Sequence, residues 1–188
     1  MDKKDILFQE IITALGNRDE RIQERIYIHY WGYLMGISTR YIKDRNAAKE
    51  VVNDSFMKAF KTMYDFRHDH NLTDFQKTFK AWLAKITVRT SLDKIRANKT
   101  ALSYIEEYDD VTVGYVEVEE KLFAEDIMKL LYELPDLHRT VFNLYEIEGF
   151  SHDEIATMLN IPVSSSRTYL TRAKHKLREL YKNSININ

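Results

Sequence analysis

The chain has 188 residues, of which 44% are apolar and only seven are Gly or Pro, so long helices in one or two small domains are expected. The absence of cysteine excludes a disulfide framework and a thiolate metal site. No apolar run approaches the ~18 residues of a membrane span and no signal peptide is evident, so we expect a cytoplasmic protein without membrane insertion.

The formal net charge of −1 conceals a segregation of charge along the chain. Residues 76–100 carry a net charge of +6, residues 101–120 a net charge of −7, and residues 162–182 a net charge of +5. Two basic stretches separated by an acidic one favour two nucleic-acid contacts on one chain. The alternative is three unrelated solvated faces.

Three amphipathic helices are predicted in the first part of the chain. Apolar spacing places them at residues 5–15, 19–41 and 47–64. Tyr33 is assigned to the buried stripe of the second helix, and Asp44-Arg45-Asn46 to the turn that begins the third. The outer face of the third helix is polar, which is the default for a surface helix. It carries Glu50, Asn53, Asp54, Met57 and Lys58.

Residues 65–78 are polar and are predicted to form a loop. His68, Asp69, His70 and Asp74 could be interpreted as metal ligands, but the two histidines are only two residues apart and lack a third ligand in a recognisable pattern. We therefore predict no metal and no cofactor.

A basic helix is predicted at residues 79–98. Phe75, Phe79 and Trp82 lie beside its charges and could stack on the bases of a single strand, or could simply pack in a core, which the residues alone favour for Trp82. The exposed basic side chains of this helix include Lys80, Lys85, Arg89 and Arg96.

Residues 100–117 show no sustained period and are predicted to be a flexible acidic linker, whose charge could also mask a basic patch. Helical periodicity returns from Val118 to Leu134 and from Asp136 to Glu148. The predicted fold class is therefore all-α, with two small helical domains.

A helix-turn-helix is predicted between Ser151 and Arg178. Ser151 and Glu154 fit a capping box, and Asn160 and Pro162 separate a short helix from a basic one. An ordinary helical hairpin with a solvated charged face is the alternative. The high basic charge and the short side chains at the start of the second helix favour nucleic-acid recognition instead. The packed face of that helix is Val163, Ser166, Leu170, Ala173, Leu177 and Leu180.

Motifs along nearly the whole chain resemble those of bacterial RNA polymerase sigma factors of the extracytoplasmic-function (ECF) group. The segment Ala48–Phe56 is similar to the family's Ala-Glu-Asp-Leu-Val-Gln-Glu-Val-Phe. Ala81-Trp82-Leu83 with Ile86, Asp93 and Arg96 is similar to its Trp-Leu-x-x-Ile-Ala-x-Asn-x-x-x-Asp-x-x-Arg helix. The C-terminal pattern is also matched, at Leu134-Pro135, Arg139, Val141-Phe142, Leu144, Glu148-Gly149, Glu154-Ile155-Ala156, Arg172-Ala173-Lys174 and Leu177.

The resemblance implies sigma region 2 at residues 1–99, a linker at 100–117 and sigma region 4 at 118–188. Core RNA polymerase would be bound through its β′ clamp helices and β subunit, with Glu50, Asn53 and Asp54 on the clamp helices. The −10 element would meet the loop before Phe79 and the basic helix after it, with Lys80, Lys85, Arg89 and Arg96 as the candidate contacts. The −35 element would meet Ser165, Arg167, Thr168, Thr171, Arg172 and Lys174.

Relatives of this kind are often held inactive by an anti-sigma factor, which makes such a protein a candidate partner beside promoter DNA. This chain departs from the family pattern at Ser164-Ser165-Ser166, where Gly-Thr-Val is usual, and at Arg89, where Asn is usual. Two other functions are weighed against a sigma factor. One is a dimeric helix-turn-helix regulator, and the other is a small enzyme using His68, Asp69 and His70. No nucleophile–base pair or phosphate loop supports an enzyme.

Overall fold

The computed structural model describes the backbone of residues 3–66, 72–99 and 124–185. Every regular element in these ranges is helical, so the predicted all-α class is confirmed. The chain divides into two compact units, Met1–Ala97 and Asn98–Asn188. The predicted linker at 100–117, the first residues of the helix predicted from Val118, and the residues His68, Asp69 and His70 lie outside the described residues.

The first unit contains four helices within its described residues. They are α1 at Lys3–Asn17, α2 at Ile22–Tyr41, α3 at Arg45–Thr62 and α4 at Leu72–Lys99, with a short 3₁₀ turn at Met63–Asp65. Asp44 caps α3, because its carboxylate accepts a hydrogen bond from the backbone N–H of Ala47 at 2.7 Å. The core is formed where the apolar stripes of these helices meet, and Ile26, Leu34, Val52 and Phe79 are all fully buried there.

Two predictions in this unit are wrong. Tyr33 was assigned to the buried stripe of α2 but is 36% exposed. Helix α4 begins at Leu72 and not at Phe79, so the second half of the predicted loop is helical. The reason is that Phe75 and Phe79 are one helical turn apart and both fully buried, with stacked rings 5.3 Å apart. The burial of these two rings stabilises the helix before Phe79, although the polar residues between them obscure the helical period in the sequence.

The second unit is built from four helices and a π-helical turn in its described part. They are α5 at Ala124–Tyr132, α6 at Asp136–Phe142, the π-helical turn at Asn143–Ile147, α7 at His152–Leu159 and α8 at Val163–Ile185. Leu131 and Leu134 pack with Ala173 of α8, and Met128, Phe142 and Leu177 surround them. The π-helical turn divides what the sequence predicted as one helix from Asp136 to Glu148, and Gly149 follows with a φ of +76°.

Arg139 is the largest fully buried polar side chain among the described residues of the second unit. It is 2% exposed, and its Nη2 donates to Asp136 Oδ1 across one helical turn at 2.9 Å. Its guanidinium also lies 5.8 Å from the ring centre of Tyr132. A buried guanidinium needs such partners, because an unpaired charge is costly to bury.

None of the described helices is both long and apolar enough to cross a membrane. The described residues also contain no group of three or more His, Asp or Glu side chains that would suit a metal ion.

Candidate functional site

The helix-turn-helix begins with the predicted capping box. Ser151 Oγ accepts a hydrogen bond from the backbone N–H of Glu154 at 3.3 Å, and Glu154 Oε2 accepts one from the backbone N–H of Ser151 at 2.8 Å. Such a cap typically contributes about 1 kcal/mol. The start of α7 is therefore fixed locally.

The turn between α7 and α8 is also fixed by contacts between residues close together in the sequence. Asn160 ends α7 in the left-handed conformation, with φ 54° and ψ 51°, which Asn tolerates better than most residues. The backbone N–H of Ile161 then donates to the carbonyl of Ala156 at 3.1 Å. Pro162 has no N–H to donate, and its carbonyl accepts from the N–H of Ser166 at 3.2 Å as α8 begins.

One face of α8 is packed and the opposite face is open. Ser166, Leu170 and Ala173 are buried, whereas Val163, Leu177 and Leu180 of the predicted packed face are only half-buried. At 100° per residue, the six predicted −35 contacts fall within about half of the helix circumference on the other side. Of these, Arg167, Thr168 and Thr171 are exposed, and Ser165, Arg172 and Lys174 are half-buried.

The side chains of the open face differ in the hydrogen bonds and ion pairs that they form. The hydroxyls of Thr168 and Thr171 donate to the carbonyls of Ser164 and Arg167, each at 3.0 Å. Arg167 itself has no carboxylate within ion-pair distance among the described residues. Its five N–H donors are therefore available to an incoming ligand.

Lys174, by contrast, is paired. Its Nζ lies 2.6 Å from Oε1 of Glu146 in the π-helical turn, and the two side chains are 39% and 33% exposed. The pair places one negative charge beside the basic face of α8. Glu146 was not assigned to the site from the sequence, because nothing in the local pattern connects it to a residue so far along the chain.

His152 links the start of α7 to the start of α8. Its Nδ1 lies 3.0 Å from Oγ of Ser166, and its ring stacks on Tyr145 with centres 4.5 Å apart. Burial lowers the pKa of His152 below its usual value, and the nearby positive charge of Arg167 lowers that pKa further. Neither His152 nor Tyr145 was assigned to the site from the sequence.

The four basic residues proposed for the −10 element do not share one face of α4. All four are exposed. Lys85, Arg89 and Arg96 fall within about 40° of one another around the helix, whereas Lys80 is roughly 140–180° away from them. Lys80 Nζ lies 4.3 Å from the ring centre of Tyr33 on α2, and Arg96 pairs with Asp93 one turn earlier.

The aromatic residues around the start of α4 form a packed cluster. Phe75 and Phe79 are fully buried, so the interpretation that they stack on bases is wrong. Trp82 is half-buried and contacts Phe66 and Phe79, with ring centres 5.1 and 5.4 Å apart. Trp82 therefore belongs to the packed cluster, as the sequence predicted, while part of its surface stays accessible.

The polar face of α3 lies against residues of α2 and α4. Glu50 Oε2 accepts from Lys94 Nζ at 2.9 Å, and Asn53 Oδ1 accepts from the hydroxyl of Tyr27 at 3.1 Å. The hydrogen bond that Lys94 donates to Glu50 raises the pKa of Lys94, and the charge of Asp54 adds to this effect. All three predicted residues are exposed and share one surface.

The same surface of the first unit contains an exposed apolar side chain, Met57, which is 59% exposed one turn after Asn53. Lys58 bridges to α4, where its Nζ lies 3.2 Å from Asp93 Oδ2. Tyr27, Lys94 and Asp93 are further members of this surface that the sequence analysis did not assign to it. Their proximity depends on how the helices pack, so only the fold shows it.

Comparison with known proteins shows which family the chain is similar to. Residues 124–177, which contain α5, α6, α7 and most of α8, match the family model described as "Sigma-70, region 4". The chain is 26% identical to the ECF RNA polymerase sigma-E factor of Haemophilus influenzae, over 94% of each chain. It is 24% identical to the RNA polymerase sigma-H factor of Pseudomonas aeruginosa, over 90% of this chain and 91% of that protein.

A solved structure has a similar fold. The sigma factor RpoE of Bartonella quintana, determined in complex with the anti-sigma factor NepR, superposes with a TM-score of 0.50 at 22% identity. The match covers 85% of this chain and 96% of that chain.

The region 4 match and these relatives, together with the helix-turn-helix, support a bacterial RNA polymerase sigma factor. Within that class, they support the extracytoplasmic-function group. The predicted family is thus confirmed.

Proposed function

We propose that this sigma factor binds core RNA polymerase through its first unit and directs initiation at promoters with particular −10 and −35 elements. The observation that carries the proposal is the open face at the start of α8. Arg167, Thr168 and Thr171 are exposed there, while Ser166 and Leu170 on the opposite side are buried. A helix presented in this way fits the major groove.

In the −35 contact, the first two turns of α8 enter the major groove. Arg167 reads a guanine through two hydrogen bonds to O6 and N7, the commonest specific side-chain contact to a base. Thr168, Thr171 and Arg172 contact neighbouring base edges. Ser165 and Lys174 bind phosphates, which fix the position of the helix without reading sequence.

In the −10 contact, Lys85, Arg89 and Arg96 form one basic stripe along α4 that follows a DNA backbone. Lys80 acts separately, because it lies on another side of the helix beside Tyr33. The exposed part of Trp82 supplies a surface on which a base of the opened strand stacks. This division of roles is supported by the helix geometry, which groups three cations and separates the fourth.

The polymerase contact uses the outer face of α3. Glu50, Asn53 and Asp54 dock on the β′ clamp helices, and Met57 and Tyr27 add apolar area beside them. An exposed methionine next to carboxylates suits a partner with both apolar and basic side chains.

Residues 1–99 are assigned to sigma region 2, residues 100–117 to the linker and residues 118–188 to sigma region 4. Further proposed partners are the β subunit and an anti-sigma factor. The second is supported by the complex in which the related Bartonella protein was solved. The protein acts in the cytoplasm, where bacterial transcription takes place, and catalyses no reaction of its own.

The test is a pull-down of core RNA polymerase with the full chain, followed by run-off transcription on a promoter library. Binding to core with initiation at a restricted set of promoters is the expected result. In the same assay, Arg167→Ala should reduce transcription from the cognate promoter and spare core binding. Its matched control is Lys182→Ala, which also removes one exposed positive charge but lies about 22 Å further along α8. No binding to core, with specific binding to a palindromic duplex, would refute the proposal and favour a dimeric regulator.

A further inference from the structure

A buried hydroxyl lies directly before the proposed base-reading arginine. Ser166 is fully buried in the first turn of α8, on the side that faces α7, and Arg167 follows it on the open side. A hydroxyl that loses contact with water needs a hydrogen-bond partner. The structure supplies one from the other helix, namely Nδ1 of His152 at 3.0 Å.

The histidine is itself held on two sides. It is the first residue of α7, directly after the Ser151 cap, so the capping box fixes its backbone. Its ring lies nearly parallel to that of Tyr145, with 23° between the planes. His152 therefore offers Ser166 a partner at a defined position, and the restraint reaches from the π-helical turn through α7 to α8.

We infer that His152 and Ser166 form a positioning pair that sets the orientation of the first turn of α8 and thereby the geometry with which Arg167 reads its base. This inference rests on the proposed function. A two-point contact between a guanidinium and a guanine depends on direction as well as distance. A rotation of the first turn of α8 would weaken that contact, whereas the less directional phosphate contacts would be retained.

The charges around the pair favour the neutral imidazole. Arg167 and Lys174 of α8 face His152 with positive charge, and Asp153 on its own helix opposes them. Glu146 is engaged with Lys174, and Tyr145 covers one face of the ring. Burial and Arg167 hold the pKa of His152 below its usual value, so near neutral pH the ring adds no repulsion against Arg167.

The test uses two amide variants that differ by one methylene group and therefore in where they place their polar atoms. His152→Asn retains a polar atom near the position of Nδ1, whereas His152→Gln places its polar atoms near the position of Nε2. Both lose the ring that stacks on Tyr145. Full-length protein is assembled with core polymerase, and the preference for each base at the −35 element is measured with a promoter library, alongside the unfolding midpoint.

We expect His152→Gln to lose about tenfold or more of the discrimination at the position read by Arg167, within the range of such contacts. His152→Asn should keep most of it. Unchanged base preference in His152→Gln, or equal loss in both variants, would overturn the inference and leave the proposed function standing. A wild-type protein that binds core but initiates without promoter preference would overturn both.

Ser166→Val provides a second route to the same answer. It fills the site with an apolar side chain and removes the need for a partner, but leaves His152 Nδ1 facing methyl groups. We expect Ser166→Val and His152→Phe each to reduce discrimination, and the double variant to recover part of it, because both partners are then apolar. Strictly additive losses in the double variant would count against a coupled pair.

Discussion

Replacement of Glu146 by Gln should strengthen DNA binding by this sigma factor. Glu146 holds Lys174 at 2.6 Å, and in the proposed complex Lys174 binds a phosphate. DNA and the carboxylate therefore compete for one ammonium group. Glu146→Gln removes the competing charge while keeping a side chain of similar shape.

The size of the effect follows from the exposure of the pair. With side chains 39% and 33% exposed, the ion pair is screened by solvent, and its contribution is at most about 0.5–1 kcal/mol. Release of Lys174 should therefore tighten DNA binding about two- to fivefold. Because Glu146 no longer offsets the charge of Lys174 at the phosphate, the slope of log K against log salt should also steepen, by at most roughly 0.9.

The assay is fluorescence anisotropy of a labelled −35 duplex titrated with the full chain at several salt concentrations. Glu179→Gln is the matched control, because Glu179 also lies near cations of the second unit but pairs with Lys176 and His175 further along α8. Equal gains in both variants would show only a change in overall charge. Unchanged affinity and slope in Glu146→Gln would refute the proposed phosphate contact of Lys174.

Three other outcomes are expected. Arg167→Ala should reduce transcription from the cognate promoter and spare the pull-down of core, and Asp54→Ala should do the reverse; a shared defect would contradict separate faces. Ser151→Ala should lower the free energy of unfolding by about 1 kcal/mol in urea titrations, whereas Ser164→Ala should change it little. The pKa of His152 is lowered in the folded protein, so the unfolded chain binds more protons than the folded chain as pH falls through about 6.5. The free energy of unfolding should therefore decrease over that pH range, and the His152→Asn variant should lack this part of the pH dependence.

The second unit was the more predictable part of the candidate site. The capping box at Ser151, the stop at Asn160 and the start of α8 after Pro162 are local signals that lie within a few residues of each other. The open face of α8 follows from the period of its buried residues. The roles assigned to its individual side chains stay predictions, because they depend on DNA.

The first unit was harder to predict. The early start of α4 was masked by polar residues around Phe75, and the exposure of Tyr33 depends on which helices pack against α2. Helix geometry alone separates Lys80 from the other basic residues of α4, but the sequence analysis grouped them by charge.

Ion pairs between helices were beyond sequence reasoning for a physical reason. Lys94 and Glu50 are 44 positions apart, and many charged residues at that distance would be equally plausible partners. Only the packing of α4 beside α3 selects this pair. The pair of Lys174 and Glu146 was missed for the same reason.

The π-helical turn at Asn143–Ile147 affects how insertions and deletions act on this protein. The backbone N–H of Glu148 donates to the carbonyl of Asn143 at 3.0 Å, so this turn contains one residue more than an α-helical turn. Two contacts are made by side chains of this turn, namely Tyr145 on His152 and Glu146 on Lys174. Loss of a single codon here would rotate both side chains away together, whereas a substitution removes one at a time. In the evolution of such chains, a change of length at this turn can alter the contacts that support α8 in one step.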